Sequence, residues 1–456
     1  MLKPLAQTFS ERFAEWATQS DLRMADQDRA EARFTLVDTL ACTVVGTQEQ
    51  QPVAAVEAAL FGQQDGSVMP VGGGQKLSLT GAALVNGARA HAIDFDDYEL
   101  SGSSHASAPI YSALFALAGV VPMTVDQICD AWIVGYEAII WMGMAMGYRH
   151  YDIGWHSTST LGPVGAAAAA SRALGLSAGQ MSNAMALAAS SAAGLKMQFG
   201  SDAKALHAGL AAQAGVQAAL LARAGATANN RLWHGKYGFA SLYGGEDAAG
   251  FDDVLCTMQP GRALEKFPVI RKLWPSCAYT HRPIAAAERL HKRLRAGDEI
   301  ASITVRMPEP FHRVAGFFVP TNDAEARFSV SYCVVVGLLT GHVSPEDFRE
   351  HRFTDATRVR MTQDVVLDLY DLPKGDAGDI GPSTPERIVV TLTDGRVLEE
   401  VVEHVPGGVS LPMTREQLLR KVADCGCSTD LAQAFLSVDG ATALADTGML
   451  SQVGHA

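Results

Sequence analysis

Residues Asn86 to Pro109 read NGARAHAIDFDDYELSGSSHASAP and lie between the apolar stretches TGAALV and IYSALFALAGVV, which are typical of buried helices. This stretch contains two histidines, three aspartates and a glutamate: His91, His105, Asp94, Asp96, Asp97 and Glu99. Burial of ionisable side chains is unfavourable unless they are paired or used, so their density between two apolar helices indicates a functional site. The alternative is a solvated acidic loop between the helices.

The composition is that of a globular protein with more than one domain. The chain has 456 residues, of which 48% are hydrophobic, and this is enough for a large core. It has 36 Lys and Arg against 49 Asp and Glu, a net charge of −13. That charge argues against nucleic acid or an anionic membrane surface as the main partner, and an anionic substrate needs a local cluster of cations.

Cysteine usage predicts a reduced, cytoplasmic protein. The seven cysteines are scattered and contain no C-x-x-C motif, and their spacing is not that of a compact iron–sulfur site. The N-terminus MLKPLAQTFSERF lacks the apolar run of a signal peptide. The most apolar stretch, Ala131 to Met146, is interrupted by Glu137 and predicts a buried helix rather than a membrane span.

Helical patterns dominate the chain up to about residue 265. Thr124-Val-Asp-Gln127 and Ser177-Ala-Gly-Gln180 are capping boxes that each predict the start of a helix, the first running to Met146. Many of these helices are rich in Ala and Gly, so we expect their axes to approach closely. The segment VMPVGGGQKLS from Val68 to Ser78 is glycine-rich, but it lacks the spacing of a phosphate-binding loop and predicts a turn.

After residue 270 the pattern changes to strands and helices. Apolar residues alternate in SITVRM, and RIVVTLTDGRVLEEVVEHV has an Asp394-Gly395 turn between two alternating segments, a strong hairpin signal. The predicted fold is mainly α, with a large all-helical domain built from residues 1–268 and 406–456. A smaller α+β lid domain, residues 269–405, is inserted into it. Ligand sites often lie where domains meet.

Three further stretches place ionisable residues among small residues: YRHYDIGWHSTSTLGPVG, FGSDAKALHAG and RKLWPSCAYTHRP. In the first, His156 precedes a predicted helix, whose N-terminus favours anions. In the second, Lys204 and His207 share one helical face. The alternatives are a structural histidine, a solvated helix face and, for the third stretch, an interdomain linker.

Two other classes of function remain open on these residues. A metal-dependent hydrolase would use the hard ligands His91, Asp94, Asp96, Asp97 and His105. A non-catalytic binding or assembly protein is the second alternative.

The ordered motifs NGARAHAIDFDD…H, GWHSTSTLG, FG…K.LH.G.AA, K.WPSC…H and ARFSVSY resemble those of the MmgE/PrpD family, and the resemblance covers nearly the whole chain. Members of that family include 2-methylcitrate dehydratases, cis-aconitate decarboxylases and iminodisuccinate epimerases. The resemblance implies a helical domain with a lid-like α/β domain, usually as a homodimer. It also implies chemistry that needs neither a metal nor an organic cofactor.

The resemblance assigns roles to individual residues. Catalytic roles fall on His105 and His156, for proton transfer, and on Asp94, which would orient an imidazole. Residues assigned to substrate binding are Lys204 and Lys272, which would hold carboxylates, together with His207, Cys277 and Phe328.

The chain departs from the family pattern at several of these positions. The usual His-Pro pairs are His105-Ala106 and His156-Ser157 here. Cys277 replaces a second histidine of the decarboxylases, and Phe328 replaces a tyrosine. HASAP stands where 2-methylcitrate dehydratases typically have HPSDN, and WHSTSTLG and WPSC resemble the epimerase branch more closely.

The expected activity is that of a cofactor-independent lyase or isomerase acting on a di- or tricarboxylate. A proton next to a carboxylate is weakly acidic, so the enzyme must supply a base and stabilise the charge that develops on oxygen. A dehydratase is the first expectation. An iminodisuccinate-type epimerase, a cis-aconitate-type decarboxylase and a non-catalytic relative are the alternatives.

Overall fold

The structure is a computed structural model that describes residues 7–20, 22, 24–48, 53–60, 66–245, 248, 250–372 and 384–452. Within these residues the protein is mainly helical with one small sheet, as predicted. The chain divides into two compact units. The first comprises Met1–Ala92, Asp96–Val269 and Leu418–Ala456, and the second comprises Ile93–Phe95 and Ile270–Gln417.

The first unit is helical. Its helices before residue 270 are α1 Phe9–Ala17, α2 Asp26–Val45, α3 Val53–Ala59, α4 Leu79–His91, α5 Ser107–Ala118, α6 Val125–Asp152, α7 Ser157–Ala173, α8 Ala178–Ala189, α9 Asp202–Arg223, α10 Phe239–Gly244, α11 Gly250–Thr257 and α12 Ala263–Lys266. The capping boxes predicted before α6 and α8 are confirmed. The segment from Val68 to Ser78 forms a turn closed by a bridge between Val68 and Leu77, also as predicted.

Helices α4 and α9 approach each other more closely than side chains allow. A Cβ atom on Gly87 of α4 would lie 2.6 Å from the Cα atom of Gly209 on α9, so both positions need a residue without a side chain. The close packing expected from the Ala and Gly content is therefore confirmed here. It brings the C-terminal end of α4 beside the first turns of α9.

Two described helices, α6 and α9, are long and apolar enough to cross a membrane by length and composition. Their apolar windows are 94% and 61% buried within the protein, and the first value is that of a core helix. Gly147 interrupts α6 with a non-helical backbone, φ 63° and ψ 177°. The regular part of α6 therefore ends at Met146, as the apolar periodicity predicts.

The second unit contains the sheet. Its strands are β1 Ile300–Pro308, β2 Val365–Tyr370, β3 Glu386–Leu392 and β4 Val397–Val402, in the order β2-β1-β3-β4. β2 is parallel to β1, and the other pairs are antiparallel. The hairpin predicted at Asp394-Gly395 joins β3 to β4. Alternate residues of β3 are buried, so one face of the sheet supplies the core of this unit.

Helices of the second unit are α13 His281–His291, α14 Glu309–Val314, α15 Asp323–Arg327, α16 Val330–Thr340, α17 Glu350–Phe353 and α18 Ala356–Gln363. Helix α13 packs on β3 and β4. The chain then continues through α19, Arg415–Asp424, to α20, Thr429–Phe435. From Leu418 onward it belongs to the first unit, where the buried Lys421 pairs with Asp38 of α2 at 2.7 Å.

Candidate active site

A buried carboxylate, Asp96, joins two imidazoles in the first unit. The His91 Nδ1 atom lies 2.8 and 2.9 Å from the two carboxylate oxygens, and the His105 Nδ1 atom lies 3.2 Å from one of them. Burial by itself raises the pKa of a carboxyl group, but the two imidazoles outweigh this and hold the pKa of Asp96 well below its usual value. Asp96 is therefore a permanent anion at the centre of the cluster.

Lys204 extends this arrangement on the other side of His91. Its Nζ atom donates to the His91 Nε2 atom at 2.9 Å. Because an ammonium group can only donate, His91 must accept at Nε2 and donate to Asp96 from Nδ1. Burial, followed by the charges of Lys204 and His105, lowers the pKa of His91 to about 3 despite the attraction of Asp96. Asp96, neutral His91 and Lys204 thus form a hydrogen-bonded chain.

The close approach of α4 and α9 places His91 beside Lys204. His91 is the last residue of α4, one turn after Gly87, and Lys204 lies in the first turn of α9, five residues before Gly209. Because Gly87 and Gly209 let the two backbones touch, the His91 side chain of α4 meets the Lys204 side chain of α9.

A second pair of imidazoles lies beside the first. The Nδ1 atoms of His156 and His207 are 2.8 Å apart, and the His156 ring stacks on the His91 ring with centroids 5.7 Å apart. Burial and the charge of Lys204 hold the pKa of His156 well below its usual value and lower that of His207 to about 4. Both rings are therefore neutral at pH 7.

The backbone before α7 fixes His156. Its N–H donates to the carbonyl of Gly194 at 3.1 Å, and Trp155 forms a bridge with Leu195. Gly194 has φ 108°, a conformation that favours glycine. In the first turn of α7, the Thr158 hydroxyl accepts the backbone N–H of His105 at 2.9 Å, so the segments that carry the two predicted proton-transfer residues are directly joined.

Two other carboxylates in the stretch from Asn86 to Pro109 have structural roles. Glu99 is fully buried and accepts hydrogen bonds from the backbone and hydroxyl groups of Ser101 and Ser104 and from the Gly102 N–H. It thereby closes the loop that carries His105. Asp97 accepts the N–H of Ser107 at 3.3 Å, at the start of α5. Only part of the acidic cluster therefore faces the imidazoles.

His150 also has a structural environment. Its Nδ1–H donates to the carbonyl of Tyr243 at 2.8 Å, and its Nε2 accepts from the Thr160 hydroxyl at 2.6 Å. Burial lowers its pKa to about 4.

The second unit contains two further predicted site residues, Asp94 and Lys272, which contact each other. The Lys272 Nζ atom lies 2.9 Å from a carboxylate oxygen of Asp94 and donates to the Asp94 backbone carbonyl, also at 2.9 Å. Both side chains are buried. Asp94 has φ 54°, in the left-handed region that only a few non-glycine residues adopt. The double contact from Lys272 stabilises that backbone conformation.

The remaining two predicted residues are also in the second unit. Cys277 and Phe328 are buried, and the Cys277 N–H donates to the carbonyl of Arg327, the residue before Phe328, at 3.0 Å. The backbone thus places the two side chains on neighbouring segments.

A metal ion fits poorly among His91, Asp96 and His105. Ligand atoms of His91, Asp96 and His105 all lie within 4.8 Å of one another. However, the contacts of Asp96 with the imidazoles, at 2.8 to 3.2 Å, have hydrogen-bond lengths. In addition, the His91 Nε2 lone pair is taken by Lys204, whose ammonium charge would repel a divalent cation. A hydrogen-bonded network explains these distances without a metal.

The structure therefore brings together four of the predicted residues, His105, His156, Lys204 and His207, in the first unit. Asp94, Lys272, Cys277 and Phe328 belong to the second. The sequence analysis named His91 and Asp96 only as possible metal ligands and missed their link to Lys204. The available signal was position: His91 ends a helix, and Asp96 follows five residues later in the same polar loop.

Both halves of the chain match family models. The model of the MmgE/PrpD N-terminal domain matches residues 11–252, and the model of the C-terminal domain matches residues 274–435. The chain belongs to the MmgE/PrpD family. The resemblance found in the sequence motifs is thus confirmed over most of the length.

Similar members of the MmgE/PrpD family include two kinds of lyase. A cis-aconitate decarboxylase of Aspergillus terreus is 28% identical over 424 residues, covering 86% of this chain and 83% of that protein. The human cis-aconitate decarboxylase is 27% identical, covering 87% and 83%. The 2-methylcitrate dehydratase of Cupriavidus necator is 28% identical, covering 83% and 81%. These relatives support an enzymatic function for this member of the family.

Proposed function

We propose that this protein is a lyase that removes water from a di- or tricarboxylate, using proton transfer at a carbon next to a carboxylate. The observation that carries the proposal is the state of the buried imidazoles in the first unit. His156 is neutral at pH 7 and its buried Nε2 atom has no hydrogen-bond partner among the described residues. A neutral imidazole with an available nitrogen suits proton abstraction, the first step of dehydration.

The other members of the cluster supply the remaining requirements. Lys204 carries a positive charge and would hold a substrate carboxylate, stabilising the negative charge that develops when the neighbouring C–H bond breaks. The His105 Nδ1 atom lies 3.2 Å from the Asp96 carboxylate, so this anion can hold the ring in place. We assign His105 as the acid that protonates the leaving hydroxyl group, which then departs as water.

Asp94 and Lys272 stay part of the proposal in a modified form. Family resemblance assigns Lys272 to a substrate carboxylate and Asp94 to an imidazole. In the second unit the two residues bind each other, so a carboxylate that binds Lys272 must share its donors with Asp94. Cys277 and Phe328 remain proposed substrate-binding residues.

Decarboxylation is the second candidate, because several curated relatives are cis-aconitate decarboxylases. Loss of carbon dioxide needs no initial base, only later protonation of carbon. The neutral imidazoles fit this step less well, and Cys277 stands where those enzymes have a histidine. Epimerisation of an iminodisuccinate-like substrate begins with the same abstraction as dehydration and is the third candidate. We further propose a cytoplasmic homodimer that uses no metal or organic cofactor.

Proton NMR of the purified protein in heavy water tests the proposal. The panel contains 2-methylcitrate, citrate, cis-aconitate and iminodisuccinate, with and without a chelator. We expect loss of water from a hydroxy acid, unaffected by the chelator. Loss of carbon dioxide would establish the decarboxylase, and deuterium uptake with only stereochemical change would establish the epimerase. Turnover by the His156→Gln variant at the wild-type rate would overturn the assigned base.

A further inference from the structure

The hydrogen bond between His156 and His207 restricts which of their ring nitrogens can carry protons. Two imidazole nitrogens 2.8 Å apart can form a hydrogen bond only if one carries a proton and the other a lone pair. In a neutral imidazole a proton on Nδ1 leaves Nε2 with a lone pair, and the reverse also holds. The proton between the two Nδ1 atoms therefore decides whether the His156 Nε2 atom is an acceptor or a donor.

We propose that His207 is a positioning residue that sets the tautomer of His156, and not a residue that binds the substrate. In the resting state the His156 Nδ1–H donates to the His207 Nδ1 atom, and the His156 Nε2 atom keeps its lone pair. The activity part of this inference rests on the proposed function. The tautomer part concerns the ligand-free protein and does not.

One observation fixes the direction of the hydrogen bond, and a second fixes the charge of the His156 ring. First, His156 is 1% exposed and its Nε2 has no partner among the described residues, and a buried N–H without an acceptor is unfavourable because it loses its hydrogen bond to water. Second, the ionisable groups that act on His156 are Lys204, His91, His207 and His105, and burial and the Lys204 charge disfavour any added proton. The first observation places the lone pair at Nε2, and the second keeps the ring neutral, with a single proton on its two nitrogens.

The arrangement also provides a route for the abstracted proton. When the substrate C–H bond breaks, its electron pair stays on the substrate and its proton bonds to the His156 Nε2 atom. The His156 Nδ1–H bond then breaks as a bond forms to the His207 Nδ1 atom. The positive charge moves to the His207 ring, and His156 is left neutral. Loss of one proton from the pair to solvent and return of the shared proton to His156 restore the resting state.

Nitrogen NMR of the ligand-free protein, labelled with ¹⁵N-histidine at pH 7.5, tests the tautomer. We expect His156 to be protonated at Nδ1 and unprotonated at Nε2, with a scalar coupling between its Nδ1 nucleus and that of His207. The His156→Gln variant assigns the signals. A wild-type His156 protonated at Nε2 would overturn the proposal even if no His207 variant folds.

Two substitutions separate positioning from simple packing. In His207→Leu the acceptor is lost, and we expect the His156 proton to move to Nε2. In His207→Gln the amide oxygen can accept from Nδ1, and we expect the wild-type tautomer to return. His234→Leu, a substitution in the same unit outside the cluster, serves as the control and should leave the His156 signals unchanged. An unchanged tautomer in His207→Leu would contradict the inference.

Kinetic measurements complete the test, with a substrate that the NMR panel identifies. We expect His207→Leu to lower kcat by about 10²-fold, the scale of a positioned base, and His207→Gln to recover part of it. KM should stay within about threefold, because a residue that does not touch the substrate adds no uniform binding energy. A rise in KM with kcat preserved would overturn the inference in favour of substrate binding. Lack of wild-type turnover on the whole panel would contradict the proposed function while leaving the NMR result to decide the tautomer.

Discussion

The ammonium group of Lys272 binds Asp94 twice, at the carboxylate and at the backbone carbonyl, and each contact measures 2.9 Å. Asp94 has φ 54°, which is unfavourable for a residue with a side chain. One buried cation thus neutralises a buried anion and holds a strained backbone. The residue that we propose to bind a substrate carboxylate therefore also stabilises the fold.

The Lys272→Met substitution should therefore destabilise the protein strongly. It leaves the Asp94 charge buried without its cation, and loss of one partner of a buried pair costs about 3–5 kcal/mol. Urea denaturation measures the change. Arg306→Met removes a half-exposed partner of Asp368 and should cost at most about 1 kcal/mol. Equal losses of stability in the two variants would show that the Lys272–Asp94 contact stabilises the protein no more than an exposed ion pair does.

Asp96→Asn should lower the rate of turnover with little effect on the fold. The amide keeps the shape of the carboxylate but removes the negative charge that His91 and His105 contact. We expect kcat to fall by about 10²–10⁴-fold, the usual contribution of acid–base catalysis. Asp368→Asn, at a half-exposed position of β2, is the matched control and should retain full activity. Wild-type kcat in Asp96→Asn would exclude His105 as the acid.

The stability should fall as the pH decreases from about 6.5 to 4. His207 and His150 have pKa values of about 4 in the folded protein and His91 about 3, whereas unfolded histidine titrates near ~6.5. Between these values the unfolded state binds more protons, so acidification favours it. Each such group contributes a slope of about 1.4 kcal/mol per pH unit within the window. Urea midpoints measured from pH 8 to pH 5 test the trend.

Replacement of two of these histidines should reduce the slope. A double variant, His150→Gln with His207→Gln, no longer gains those protons on unfolding, and its urea midpoint should vary less between pH 6.5 and 5. His312→Gln is the comparison. His312 is half-buried and its pKa is lowered less, so this substitution should reduce the slope by a smaller amount. A slope in the double variant as steep as in the wild type would contradict the assignment of neutral buried rings.

Gly87→Ala should separate α4 from α9. Its Cβ would lie 2.6 Å from the Gly209 Cα atom, so the helices must move apart, and overpacking of this kind costs about 1–3 kcal/mol. The His91–Lys204 hydrogen bond should lengthen with them, and kcat should fall. Gly179→Ala in α8 meets nothing within 4 Å and should be neutral or stabilising, by up to about 1 kcal/mol. Calorimetry and turnover of both variants provide the comparison.

Much of the fold could be predicted because local patterns are strong in this chain. The capping boxes at Thr124 and Ser177 and the hairpin at Asp394-Gly395 each depend on residues a few positions apart. Their geometry follows from short-range hydrogen bonds, which a sequence displays directly. The stop at Met146 is of the same kind, because apolar periodicity ends beside a glycine.

The partners within the site could not be predicted in this way. His91 and Lys204 are 113 residues apart, and they meet only because Gly87 and Gly209 allow two helices to touch. The sequence showed that histidines, carboxylates and lysines were available, and motif resemblance suggested roles for them. It could not show that His207 lies against His156, or that Lys272 contacts Asp94.

By itself, then, the sequence determined the helical character of the chain, the inserted sheet and the family, since these depend on periodicity, turns and ordered motifs. The tertiary structure alone decided which nitrogen of His91 is protonated, and the neutral state of the buried imidazoles. Tautomers and pKa values depend on distances between charges and on exclusion of water, and these quantities exist only after distant segments have packed together.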